Sequence, residues 1–76
     1  MPIPSNQDAR LSRHEAAEAL TLAGYPIKYR TLVKLATLGG GPSYRLFGAK
    51  ALYRWDDLLS WAQQRETAPR ATGAAA

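Results

Sequence analysis

Ser12-Arg13-His14-Glu15-Ala16-Ala17-Glu18-Ala19-Leu20-Thr21-Leu22-Ala23-Gly24-Tyr25-Pro26-Ile27-Lys28-Tyr29-Arg30-Thr31-Leu32-Val33-Lys34-Leu35-Ala36-Thr37-Leu38 reads as two short helices with a stop between them. Ser12 followed by Glu15 is a capping box: the hydroxyl accepts from the N3 amide and the carboxylate reaches back to the N-cap amide. Ala16, Ala19, Leu20 and Ala23 then recur at i, i+3, i+4 and i+7, the apolar stripe of a helix over about residues 13–23. A stripe made mostly of methyl groups predicts close packing against another helix. Gly24 supplies a left-handed C′ residue, and Pro26 forbids continuation. After Tyr25-Pro26-Ile27, with Ile27 turned to the core, a second helix is expected over about 28–38. Its inward face is Leu32, Leu35 and Ala36, with Leu38 at its end. Its outward face is Lys28, Tyr29, Arg30, Thr31, Lys34 and Thr37, and Gly39-Gly40-Gly41-Pro42 ends it. Two helices joined by a tight turn, the second basic on its free side, form a helix-turn-helix pattern.

Downstream, Tyr44-Arg45-Leu46-Phe47 and Ala51-Leu52-Tyr53-Arg54 are short, aromatic-rich and β-prone, and Gly48-Ala49-Lys50 between them reads as a hairpin loop. A third helix is expected from about Trp55 to Arg65, with Asp56 and Asp57 at the positive end of its dipole. Leu58, Trp61, Ala62 and Arg65 share one face, with Leu59 beside them. Trp61 is expected in the core, while Trp55 is left open between core and surface. Residues 1–10, with two prolines and no periodicity, read as a mobile arm, and 66–76 as a tail without a fold. The expected architecture is mainly α with a small β-hairpin: a winged helix-turn-helix of three helices and a two-stranded antiparallel wing over residues 11–65.

Seventy-six residues leave room for one small domain with a thin core. With no cysteine there are no disulfides, thiolate nucleophiles or cysteine-held metals. Small secreted domains usually need such staples, so a cytoplasmic location is expected. No apolar run approaches the roughly 18 residues that span a bilayer, and the first residues lack the basic and apolar regions of a signal peptide. No membrane partner is expected. The only histidine, His14, sits beside Glu15 in the first helical turn and reads as an exposed surface residue. Gly39–Gly41 is no phosphate cradle, because no Gly-Lys-Ser/Thr follows. Asp56 and Asp57 are adjacent on a helix and point about 100° apart, so they do not form a catalytic pair. No base–nucleophile or metal constellation emerges; an enzyme, a cofactor and a small-molecule ligand are not expected.

The charge is unevenly placed. Lys28, Arg30, Lys34, Arg45, Lys50 and Arg54 follow one another with no acid among them, although the net charge of the whole chain is only +4. An evenly solvated surface mixes its signs, so six unopposed cations on a helix-turn-helix and hairpin pattern point to double-stranded DNA. The B-form major groove admits a helix, and lysine and arginine release counterions from phosphates. The reading helix is expected to use Lys28, Tyr29, Arg30, Thr31 and Lys34, with Arg30 set to bond a guanine in bidentate fashion. Arg45, Lys50 and Arg54 on the hairpin are expected at the flanking groove or its phosphates. The six are expected to gather on one exposed surface.

Leu11-Ser12-x-x-Glu15-Ala16-Ala17, the helix Tyr29–Leu38, Tyr44-Arg45-x-Phe47-Gly48, Leu52-Tyr53 and Asp57-Leu58-x-x-Trp61 together resemble the excisionase-type winged helix-turn-helix proteins. These include phage and integrative-element excisionases and AlpA-type regulators, distant relatives of the DNA-binding heads of MerR regulators. The resemblance covers about residues 11–65. It implies a helix in the major groove over Lys28 to Lys34 and a wing tip over Gly48 to Lys50. It also implies cooperative binding of several copies to repeated sites, and DNA bending that helps a tyrosine recombinase excise a mobile element. The chain departs from the pattern in two places: Ala49 precedes Lys50 where relatives often carry two basic residues, and Lys28 stands where a serine often caps the second helix. Two other readings stay open. One is a small AlpA-like transcriptional regulator, which needs no recombinase. The other, of a different class, is a protein-interaction module whose second helix docks an acidic partner.

Overall fold

The capping box that opens the first helix is formed as the sequence predicts. The Glu15 amide donates to the Ser12 hydroxyl at 3.2 Å and the Ser12 amide donates to the Glu15 carboxylate at 3.0 Å. The computed structural model describes residues 3–66, and this helix, α1, covers Arg13–Leu22. It ends in a Schellman motif: the Tyr25 amide reaches the Leu20 carbonyl at 2.8 Å and the Gly24 amide reaches the Thr21 carbonyl at 3.2 Å. Gly24 sits at φ +100°, which only glycine adopts without strain. The Thr21 hydroxyl fastens the connection to the second helix, lying within hydrogen-bond distance of the Ala17 carbonyl and of both the amide and the carbonyl of Ile27.

Helix α2 covers Tyr29–Leu38, with Lys28 as an extended N-cap whose side chain makes no capping bond. Leu32 is fully buried, Leu35 and Ala36 are half-buried, and Leu38, expected near the core, is exposed. Past the helix, a Cβ on Gly41 would lie 2.9 Å from the Cβ of Leu35. The third glycine of the run therefore serves close packing rather than turn geometry.

The hairpin pairs β2 (Arg45–Phe47) with β3 (Lys50–Arg54), leaving Gly48 and Ala49 as its loop. Helix α3 covers Trp55–Arg65, the span expected from the sequence.

The sheet corrects the two-strand expectation. It has three antiparallel strands in the order β1-β3-β2, because Arg10–Leu11 pairs with β3, Arg10 opposite Arg54 and Leu11 opposite Tyr53. This strand lies partly in the segment expected to be a mobile arm. The physical reason is a gap in the capping of α3. Its N-cap, Arg54, offers no side-chain acceptor. The amides of Trp55 and Asp56 are taken instead by the carbonyls of Ala9 and Gln7, both at 2.9 Å. Asp8 in the same segment pairs with Arg54, so the two arginines facing each other across β1 and β3 are accompanied by a carboxylate. The reading of 66–76 as a tail falls, beyond Glu66, outside the described residues.

The buried core is Leu11, Ala16, Ala17, Ala19, Leu20, Leu32, Tyr53, Trp55, Leu58 and Ala62. Four alanines among ten residues let α1 sit close to α2, α3 and β3, each of which packs on it. The structure settles Trp55, which the sequence left open, and places Trp61, expected in the core, against the core but only partly inside it. Trp55 is only 3% exposed, whereas Trp61 is half-buried at the edge of the core. The Trp61 indole N–H donates to the Gly40 carbonyl at 2.9 Å, which holds the ring over the glycine turn. The Arg65 guanidinium lies 5.0 Å from the ring centroid.

Candidate nucleic-acid interface

On α2 the residues that bury themselves also fix where the cations point. Leu32 occupies the face against α1. Arg30 and Lys34, one turn apart, lie on the opposite side with Thr37, while Thr31 flanks the buried face, and all four are exposed. Lys28 is exposed at the start of the helix, where the amides of Thr31 and Leu32 share its carbonyl at 3.0 and 3.3 Å. No ion pair between described residues involves Lys28, Arg30 or Lys34.

Tyr29 is placed differently from its neighbours. Its ring stacks on the His14 imidazole, with centroids 3.7 Å apart and planes within 2°. His14 is exposed, as the sequence suggested, but its ring ties the first turn of α1 to the first turn of α2. The stack gives α2 a fixed start that Lys28 does not supply by capping. It also covers one face of the tyrosine that the sequence placed among the reading residues.

The sheet holds the second group. In an antiparallel ladder, directly opposed residues share a face. Leu11 opposite Tyr53 marks the buried face. The other face therefore carries Arg10 and Arg54 from one pairing, and Arg45, Phe47, Lys50 and Leu52 from the other. Arg45 and Lys50 are exposed. Arg54 is half-buried and engaged: it bonds Asp8 and lies 3.9 Å from Asp57. The Asp8 hydrogen bond raises its pKa above the usual arginine value. The six cations, expected to gather on one exposed surface, instead divide into an α2 group and a sheet group, because helix and hairpin turn them outward from different elements, and one of the six already has carboxylate partners. Arg10, which sequence reasoning did not single out, joins the sheet group through β1.

A cluster of side chains links the two groups. The Arg13 Nε donates to the Tyr53 hydroxyl at 2.9 Å, a bond that raises the arginine pKa against the opposing effect of burial. The guanidinium also lies 5.2 Å from the ring centroid of Tyr44, which is tilted against Tyr53 at 5.5 Å. Arg13 and His14 are neighbours in α1, so the chain of contacts runs from Tyr29 on α2 through the start of α1 to the base of the hairpin. Helical periodicity could not reveal it, because both residues lie off the apolar stripe and their partners are 15 to 40 positions away.

An open groove runs between the α1–α2 connection and the end of α3, lined in part by Tyr25, Ile27, Trp61 and Arg65 and bordered by Lys28 and Thr31. Among the described residues no group of three or more His, Asp or Glu side chains is placed to hold a metal ion, and no helix is long and apolar enough to cross a membrane. No family model matches this chain, and no curated protein matches it.

Proposed function

We propose that this chain is a sequence-specific double-stranded DNA-binding protein with a winged helix-turn-helix arrangement. In this reading α2 lies in the major groove and the β2–β3 hairpin acts as the wing on the flanking backbone. The observation that carries it is the free face of α2. Arg30 and Lys34 project opposite the buried Leu32 with Thr31 exposed beside them, neither cation has a described carboxylate partner, and no acid occurs between Glu18 and Asp56. The N-terminal residues of such a helix are those that meet base edges. Arg30 is the guanine reader; Lys28 and Lys34 take phosphates. Arg45 and Lys50 extend the phosphate contacts, while Arg54, paired with Asp8, contributes less.

Within this class we infer the excisionase role that the sequence resemblance implies. Several copies sit on repeated sites, bend the DNA and assist a tyrosine recombinase. A single module of this kind buries only about 600–1,000 Å² on DNA, so neighbouring copies or a larger partner complete tight binding.

The test is a titration of the full chain against duplex DNA over a salt series. Affinity should fall log-linearly with salt, at a slope equivalent to about four to six phosphates. Arg30→Ala should weaken binding by about 1–3 kcal/mol and relax selectivity at one base pair, as loss of a bidentate contact does. A salt-independent interaction, or preference for an acidic protein over duplex DNA, would overturn the reading. Excision of a marked element with recombinase present, set against a promoter reporter, separates the excisionase role from transcriptional regulation.

A further inference from the structure

Among the described residues, the hairpin tip carries two of the three most exposed large apolar side chains. Phe47 is 75% exposed and Leu46 67%, and every residue from Arg45 to Lys50 is exposed, so the tip projects beyond the core. The register assigns the two side chains to opposite faces. Phe47, opposite Lys50, lies on the face that carries Arg45; Leu46, opposite Ala51, lies on the other. A flat partner would cover one of these faces and leave the other in water. An occupant that encloses the tip on both sides covers both. Charge identifies that occupant. Arg45 and Lys50 flank Phe47 with no acid nearby in the hairpin, so a second copy docked tip to tip would bring like charges together, whereas a polyanion would meet complementary ones.

We propose that the hairpin tip is an apolar wedge. Phe47 enters a base-pair step of duplex DNA from the groove beside the reading helix and unstacks it, Leu46 on the opposite face of the hairpin packs against the groove wall, and Arg45 and Lys50 hold the phosphates on either side. This rests on the DNA-binding reading above and adds to it the means of kinking. Side chains of this type open base steps and bend the duplex, and flexible pyrimidine–purine steps yield most readily. The cations keep the tip at the backbone, and the phenyl ring supplies the apolar surface that replaces base stacking.

The experiment compares the full chain with Phe47→Ser and Phe47→Leu on duplexes in which a single mismatch is scanned through the bound region. Bend is read by fluorescence resonance energy transfer between the duplex ends. Because Phe47 packs on little of the core, both variants should melt as the unaltered chain does. A mismatch already unstacks its step, so at one position it should tighten binding of the unaltered chain about tenfold. Phe47→Ser should lose both that gain and most of the bend, and Phe47→Leu, still apolar, should retain them. Equal responses from all three proteins, with duplex binding intact, would overturn the wedge alone. Concentration-dependent self-association abolished by Phe47→Ser would also overturn it, by showing that a second copy covers the tip. Absence of duplex binding by the unaltered chain would remove the underlying reading as well.

Discussion

Trp55 and Trp61 lie six positions apart on α3 and carry different duties. Trp55 is buried at the point where β3 turns into the helix. Trp61 spans the edge of the core, with its N–H on the Gly40 carbonyl and Arg65 against its ring. Trp55→Ala should therefore destabilise the domain by about 3–5 kcal/mol through an internal cavity, a large part of the stability of so small a chain. Trp61→Ala should cost about 1–2 kcal/mol, since water can reach the vacated edge and the freed carbonyl. Urea unfolding followed by circular dichroism ranks the two, and a larger loss for Trp61→Ala would contradict the assignment. The sequence pointed to Trp61 because it repeats with Leu58 and Ala62, while Trp55 stands first in the helix, where periodicity has nothing before it to count from.

At the scale of elements, the helices were legible and the sheet was only half so. The bounds of α1 and α2 followed from a capping box, a Gly-Pro stop and a glycine run, all of them local signals. α3 was legible too, although the group that caps it lies far away in the chain. That group is the segment from Gln7 to Ala9, whose carbonyls accept from the first two amides of α3. Backbone acceptors leave no compositional trace, and a two-residue strand has no periodicity, so β1 could be found only by asking what satisfies the start of α3. Deleting residues 1–8 removes the Gln7 acceptor and the Asp8 carboxylate. It should lower stability by about 1–2 kcal/mol and speed hydrogen exchange at the Asp56 amide. An unchanged unfolding midpoint and an unchanged Asp56 rate would contradict the capping role. The same deletion takes away the nearer of the two carboxylates of Arg54, that of Asp8, which is 46 positions away in sequence, and leaves the arginine beside Asp57. That separation explains why Arg54 read as an available cation.

For the whole molecule, six cations follow one another in sequence, yet the fold deals them to two faces, one on α2 and one on the sheet, both turned away from the core. The α2 face was readable from helical spacing alone. The sheet face was not, because Arg10 joins it only through a strand pairing and Phe47 gains its meaning only from the register. What couples the two faces is the run of contacts from Tyr29 through His14 and Arg13 to Tyr53 and Tyr44. The central claim is that both faces engage one duplex. The measurement that tests it most directly is the change in backbone amide resonances of the full chain as duplex DNA is added. Large shifts are predicted at residues 28–34 and again at 45–50, growing together with a single binding curve, with little change around Trp61 and Tyr25. Shifts centred on the groove at Trp61, or a hairpin that responds while α2 does not, would contradict it.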